Sequence, residues 1–496
     1  MNKHYTKSIT IVLLFVLVFF KWEHTVAQNI KLYGMTAVGK GIFEYDLASG
    51  ALIPKTNFSL HPQDGLSGFG SLMKASNGKI YGMTHDGGIA GSGVIFEFDP
   101  ITGVNKFVHQ FNGTDGQSPY GSLLDAGNGK LYGMTNEGGL YDKGVIFEYV
   151  LATGVYTKIV DFKTLDPNAN GGNPYGSLIK ASNGKLYGMT NQGNSSAFPG
   201  AKNGNIFELD PSNNQFTVKR GFSGAIGTAY TPKGDLVEAH NGKLYGLAGG
   251  GMEGRGCIIE FDIATSVITV KYYWRVTNPN NQTTSEGSNP EGSLCLGADS
   301  LLYGLTKDGG TTVPGTGSGV LFTYDPRTDV YTKKHSIDPT LIGSQPRGTL
   351  IQSSNGKFYG MVYRGGTAQN KDGGLFEYDP IADTIVSLHF FDDNDFKDAF
   401  YGKLLEIDLG TTAIQTINAN TAFSCYPNPA INTLLVQSSN LIENVSITDL
   451  TGKVLMKSAT LSSNEVQLSI ADLNPGMYFV NVQTNGVLSA QKWIKQ

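Results

Sequence analysis

The sequence predicts an all-β chain: a seven-bladed β-propeller of four-stranded blades, its first blade closed by a C-terminal strand, followed by a small β-sandwich. Three observations lead there. An element like Lys-Leu-Tyr-Gly-Met-Thr recurs with its tyrosine at Tyr33, Tyr81, Tyr132, Tyr187, Tyr245, Tyr303 and Tyr359. The step is roughly 54 residues, within the range of repeat architectures. Glycine is heavily used, at 65 residues of 496, and long amphipathic helical patterns are absent. Each repeat also divides into short runs of strand-forming residues separated by turn signals.

The third repeat shows the pattern. Gly121–Ala126 reads as a short apolar strand, and Asn128-Gly129 is a two-residue hairpin signal, because both central positions of that turn need positive φ. Lys130–Thr135 is the second strand, followed by a Gly-rich loop of variable length. Val145–Val150 is the third, rich in β-branched and aromatic residues. A tight turn, seen in the second repeat as Asp99-Pro100-Ile101-Thr102-Gly103, leads to a fourth strand, Val155–Phe162 in the third. The runs are near-continuously apolar, as sheets covered on both faces require. The glycine after each repeat tyrosine sits inside a strand, where it is normally unfavourable, and implies a close approach, read here as that of the next blade.

The first strand is carried by Gly70-Ser71-Leu72, Gly121-Ser122-Leu123, Gly176-Ser177-Leu178, Gly234-Asp235-Leu236, Gly292-Ser293-Leu294 and Gly348-Thr349-Leu350. The first repeat lacks it. Tyr401-Gly402-Lys403-Leu404-Leu405, after the last repeat, supplies a surplus copy. A strand missing at the start and spare at the end is what a closed ring needs, since closure hides both sheet edges.

Charge also recurs. Lys31, Lys79, Lys130, Lys185, Lys243 and Lys357 precede the tyrosine element, and Glu44, Glu97, Glu148, Glu208, Glu260 and Glu377 lie in the third strands. Cross-strand Lys–Glu pairs are expected in these blades, the alternative being a ring of catalytic or metal-binding carboxylates. The sixth repeat has Leu301 and Thr323 instead.

The ends give an address. Lys3, His4 and Lys7 precede an apolar run Ile9–Phe20, too short to span a bilayer comfortably, and Thr25 and Ala27 suit signal peptidase. Residues 1–27 are therefore read as a signal peptide, 28–410 as the propeller, 411–422 as a linker and 423–496 as the C-terminal domain. No membrane span is expected after cleavage. The net charge of −5 gives no sign of a nucleic-acid partner. Cys257, Cys295 and Cys425 are odd in number, so not all can pair within the chain. Buried free thiols are the expectation, with a Cys257–Cys295 disulfide as the alternative.

The run NGKLYGMT…GG…GVIFEYDP…F…DG..PYGSL resembles the GloVer tandem repeat of bacterial surface proteins, over Asn29–Leu409. The fifth unit departs most, with Gly246–Gly251 reading GLAGGG. The tail resembles the type A C-terminal sorting domain of the type IX secretion system: Cys425-Tyr426-Pro427-Asn428-Pro429, Ile447–Leu455, Leu473–Val482 and the terminal Lys492-Trp493-Ile494-Lys495-Gln496. That resemblance implies secretion machinery as a partner of residues 423–496, and release or attachment at the outer cell surface.

Catalytic motifs are absent. Gly249–Gly254 formally matches GxGxxG but no helix pattern follows it, so it reads as a propeller loop. Asp64-Gly65 and Asp115-Gly116 read as turns rather than calcium loops. His85 and His240 have no paired ligand in sequence, and no metal or cofactor is expected. Variable loops gather on one face of a propeller, and function is expected where the repeat does not repeat. His85, Tyr141, Phe198, Arg255, Tyr363 and Arg364 are the candidate binding residues on that face. The leading expectation is a non-catalytic propeller that binds a glycan or protein. A glycoside hydrolase or lyase would need paired carboxylates, for which Asp142, Glu253, Asp308 and Asp372 are the loop candidates. A purely structural surface protein is the third possibility.

Overall fold

The structure, a computed structural model, describes residues 30–36, 38–39, 41–56, 58, 65–164, 169–193, 203–222, 229–251, 253–276, 284–310, 317–365, 372–392, 396–397, 402–408, 423–449, 454–458, 463–484 and 487–495. They fall into two compact units, one spanning Ile30–Asp408 and the other lying beyond it.

Seven antiparallel sheets of the first unit are described as blades, six of four strands and one of five, and a two-stranded sheet pairs Val38–Gly39 with Phe396–Lys397. The third blade runs Leu124–Asp125, Lys130–Met134, Val145–Val150, Tyr156–Asp161, each strand paired with the next. Its register sets Leu131 opposite Tyr149 and Tyr132 opposite Glu148. A bulge falls between Ile146 and Phe147 where the third strand meets the fourth, and five other blades repeat it at the equivalent place. The fifth blade differs by an added strand, Ala229–Pro232, on its Leu244–Gly250 strand.

Ring closure occurs with a small correction. The strand that completes the first blade is Leu405–Asp408, paired with Ile30–Met35 from Ile30↔Asp408 to Tyr33↔Leu405. The expected strand over Tyr401–Leu405 was placed too early. In every blade pairing begins beyond the Gly-x-Leu unit, as at Met73–Lys74 after Leu72, and Gly402-Lys403-Leu404 is that unit here. Tyr401 itself lies outside the described residues.

The cores lie between blades. One cluster joins Tyr81, Met83 and Ile95 of the second blade to Leu131, Val145 and Phe147 of the third. Another joins Tyr359 and Leu375 of the seventh to Leu32 and Phe43 of the first. The strand glycine does make a close approach, but within its own blade. A Cβ at Gly133 would collide with the Phe147 ring on the paired strand and with Leu123 on the inner one. In the divergent fifth blade Ile259 replaces that phenylalanine, and a Cβ at Gly246 would sit no closer than 3.1 Å to any neighbour.

The lysines pair as expected in three blades only: Lys130–Glu148 at 2.9 Å, Lys243–Glu260 at 2.7 Å and Lys357–Glu377 at 2.6 Å. Lys31, Lys79 and Lys185 instead take Asp46, Asp99 and Asp210, two residues beyond the glutamate. Lys243 and Lys357 also lie 3.6 Å from Asp262 and Asp379, and the first blade shows how the aspartate can win. Lys31 stands opposite Asp46 and Tyr33 opposite Glu44, so the lysine meets the aspartate and the tyrosine hydroxyl donates to the glutamate. Lys130 stands opposite Val150 and reaches back to Glu148. Tyr81, Tyr187, Tyr245 and Tyr359 also donate to their glutamates, so these carboxylates serve the scaffold.

The second unit is built around one long strand, Thr433–Thr448. Its first half pairs with Phe423–Tyr426 and Ser463–Ser469, and its second with Val454–Lys457 and Gly476–Thr484. Val487–Lys495 completes it. Leu434, Val436, Val445, Ile447, Val480 and Val482, spaced by two within each run, point into a core with Trp493, as in a sandwich. All three cysteines are unpaired. Burial pushes the thiols of Cys257 and Cys425 up to about 12, so neither is a ready nucleophile.

Candidate functional site

The Gly-x-Leu units meet around the axis of the ring. A Cβ at Gly70 would strike the carbonyl of Gly121, one at Gly121 that of Gly176, and so on through Gly176, Gly234 and Gly292 to Gly348; one at Gly402 would crowd the carbonyl of Gly70. No side chain fits at these positions. The middle residue of each unit then ties neighbouring blades together. Lys403 N donates to Ser71 Oγ at 2.8 Å, Ser71 N to Ser122 Oγ at 2.8 Å, and Ser122 N to Ser177 Oγ at 2.8 Å. Ser177 N donates to Asp235 Oδ1 at 2.5 Å, Asp235 N to Ser293 Oγ at 2.7 Å, and Ser293 N to Thr349 Oγ1 at 2.9 Å. Hydroxyls and a carboxylate can accept these bonds; the side chain of Lys403, which has no acceptor, stands at the end of the chain. The cavity left at the axis is ≈ 20 Å³, room for about one water. A ligand larger than that would have to sit at the mouth above it.

The mouth is formed by the residue immediately before each axial glycine. The blade-to-blade connection arrives there, on the variable-loop face. In chain order these residues are Phe69, Tyr120, Tyr175, Lys233, Glu291 and Arg347, with Tyr401 at the same sequence position outside the described residues. One side of the mouth is thus aromatic and the other charged. On the aromatic side Phe69 stacks on Tyr120 at 5.3 Å between centroids and Tyr120 meets Tyr175 at 4.9 Å. His85 sits edge-on to Phe69 and Tyr120, at 4.9 and 4.6 Å, and its Nδ1 lies 2.8 Å from Asp86 Oδ1. Asn136 fixes the backbone ahead of Tyr175 by donating to the carbonyl of Pro174, and Asn191 does the same ahead of Lys233 at Pro232.

On the charged side Glu291 is central and only 8 % exposed. Lys233 and Lys307 donate to its Oε1 at 3.0 and 3.1 Å. Its Oε2 lies 3.6 Å from Arg347 Nε and has no hydrogen-bond partner. Burial raises the Glu291 pKa, but Lys233 and then Lys307 outweigh it, and the carboxyl is held below its usual range. The Arg347 guanidinium lies over the Tyr363 ring at 4.3 Å, and Arg364 approaches the same ring at 5.4 Å.

Of the candidate residues, His85 stands in the aromatic arc, and Tyr363 and Arg364 stand beside the charged one. Tyr141 is on an outer loop, half exposed, with Lys163 Nζ 5.8 Å from its ring. Arg255 is in the loop of the fifth blade, where its carbonyl accepts from Asn289 N at 2.7 Å. Neither has a described contact with the mouth residues. Phe198 lies outside the described residues. Sequence reasoning missed Phe69, Tyr120, Tyr175, Lys233, Glu291 and Arg347 because they sit inside the repeated unit, one residue ahead of a constant glycine. The signal was that this one column changes from aromatic to charged. The loop carboxylates are engaged locally: Asp142 accepts from Gly138 N at 3.0 Å, Glu253 from Val276 N at 2.6 Å, and Asp308 from Asn289 Nδ2 at 2.9 Å. Among the described residues no three His, Cys, Asp or Glu side chains gather as a metal site would need.

Fold and mouth together define a closed β-propeller joined to a C-terminal β-sandwich. The chain belongs to the Gloeobacter/Verrucomicrobia repeat family, which it matches over residues 23–249 and 200–413. Residues 424–496 match a secretion system C-terminal sorting domain. This is the sorting domain of type IX secretion, and it indicates a protein that engages that machinery and is secreted or attached to the outer surface. No helix of the described residues is long and apolar enough to cross a membrane. No match was found among curated proteins. Among solved structures, a candidate 6-phosphogluconolactonase from Bacteroides fragilis is similar at 16% identity and TM-score 0.49, over 77% of this chain and 99% of that one. A second, from Bacteroides uniformis, gives 14% and 0.49 over 77% and 100%. An oligogalacturonate lyase from Vibrio parahaemolyticus gives 12% and 0.42 over 74% and 89%. All three TM-scores are below 0.5, and these likenesses say nothing about what this chain binds.

Proposed function

We propose that this protein is an extracellular binding propeller that takes a glycan at its axial mouth after type IX export. Residues 1–27 serve as export signal, 28–410 as the binding ring and 423–496 as the sorting domain. The observation that carries the reading is the column ahead of the axial glycines. The glycine that follows this column and the leucine two residues beyond it are the same in every unit and hold the ring, yet the column itself varies and clusters its aromatics. Adjoining half-buried rings offer an apolar platform with polar edges, the surface on which a sugar ring packs. His85, Tyr363 and Arg364 belong to the site, which is built without Tyr141 and Arg255; Phe198 lies outside the described residues.

The test is a glycan array with the full chain, run beside hydrolysis and lyase assays on the same saccharides. Binding without turnover is expected, and Tyr120→Ala is expected to lower affinity at least about tenfold, the loss of one stacked contact. Turnover would replace this reading by that of an enzyme. Failure to bind any saccharide would remove it.

A further inference from the structure

The charged half of the mouth carries information that a neutral glycan site would not need. Burying an ionised carboxylate is costly unless its oxygens are satisfied. Glu291 has Lys233 and Lys307 on one oxygen, while the other, Oε2, is buried and without a hydrogen-bond donor. Around this carboxylate stand three cations within 3.6 Å. A fourth, Arg364, is exposed and approaches the same Tyr363 ring as Arg347. The carboxylates nearby are already engaged: Asp308 by Asn289 and Lys307, and Asp235 by Ser177 N. Counting Lys233, Lys307, Arg347 and Arg364 against Glu291, Asp308 and Asp235 leaves one positive charge in excess. The site thus offers an acceptor that lacks a donor beside cations that outnumber their anions.

We infer that the charged arc is a subsite for a carboxylated sugar, so that the ligand of the mouth is an acidic glycan built from uronate residues. A sugar hydroxyl donates to Glu291 Oε2, and the sugar carboxylate lies against Arg347 and Arg364. Charge-assisted bonds of this kind are about twice as strong as neutral ones, and a planar guanidinium suits a planar carboxylate. The neighbouring residue of the same chain lies on Tyr120 and Tyr175. Two chemistries on opposite sides of one mouth then fix the direction in which the saccharide lies. This inference rests on the glycan reading above and deepens it.

The experiment compares a uronate oligosaccharide with its carboxyl-reduced form by calorimetric titration of the full chain, with a sulfated oligosaccharide as a third ligand. The expected result is that the uronate binds at least about tenfold more tightly than the reduced form. That advantage should shrink at high salt. Arg364→Ala, an exposed change with little bearing on folding, should remove part of the advantage by weakening the uronate more than the reduced form. Lys307→Gln should remove more of it. Tyr120→Ala should weaken both ligands equally. Equal affinity for uronate and reduced forms overturns the inference and leaves the glycan reading standing. Tight binding of the sulfated ligand with none of the uronate overturns the commitment to carboxylate. If no saccharide binds, the glycan reading falls and this inference with it.

Discussion

Tyr120 and Gly121 are neighbours in sequence and belong to opposite regimes. At the position of Gly121 the blades accept nothing but glycine, because a Cβ would strike the carbonyl of Gly176. One residue earlier the chain emerges at the mouth, where Phe69, Tyr120, Tyr175, Lys233, Glu291 and Arg347 occupy equivalent places. The axial ring is a geometric constraint repeated blade by blade. The mouth is the first place along each inner strand where that constraint ends. In a repeat protein the boundary between scaffold and site can thus be a single peptide bond.

That contrast can be broken from the scaffold side first. Gly121→Val forces the backbone of the next blade outward, and the cost should be about 3 kcal/mol or more, as for an overpacked core. Thermal or denaturant unfolding measures it, and a change below about 1 kcal/mol would mean that the glycine ring is not tightly closed. Tyr120→Ala, one residue away, should cost about 1–2 kcal/mol through its lost ring contacts, while abolishing most of the binding.

Glu291→Gln probes the mouth's electrostatics. Removing a buried charge that holds several cations should destabilise the ring by about 2 kcal/mol at neutral pH, less than for a fully buried pair because Lys233 is 38 % exposed. The sign with pH follows from the lowered pKa. A carboxyl held below its ordinary 4.5 stabilises the fold above that pH, and the contribution is lost as pH falls through the folded value. Wild type and variant should therefore converge in stability as the pH drops below 4.5. A gap that stays constant down to pH ~3 would show that Glu291 is not held ionised by its lysines.

Smaller effects sharpen the contrast further. Ser177→Ala removes the acceptor of Ser122 N and should cost about 1–2 kcal/mol by equilibrium unfolding, with binding unchanged. Lys130→Ala removes a partly exposed pair to Glu148 and should shift stability by under about 1 kcal/mol, falling with added salt.

Much of the scaffold was legible because it repeats. Seven tyrosine elements announced the blades, and the absent first strand with a spare after the last repeat announced closure. What sequence could not supply was register. The recurring Lys and Glu looked like partners, yet the pairing that sets Lys31 against Asp46 and Tyr33 against Glu44 follows from which residues stand opposite one another. The close approach at Gly133 was likewise foreseen, but its partner, Phe147 of the same blade, depends on the pairing of the second and third strands. The site was half legible for a different reason. Searching among variable loops finds His85, Tyr363 and Arg364, which stand out from the repeat. It passes over Glu291, whose meaning comes from Lys233, 58 residues away, and Lys307.

The closing strand also sets an order of events. Ser71 is bonded to Lys403 across 332 residues, and Ile30 is paired with Asp408. The first blade is therefore incomplete until almost the whole ring has been synthesised, and contacts of such long range are slow to form. Leu405–Asp408 lies just ahead of the sorting domain that begins at 424. A chain cut short anywhere in the ring lacks both the strand that shuts it and the C-terminal sorting domain. Every chain that carries the sorting domain thus also carries the closing strand, because synthesis reaches the strand first.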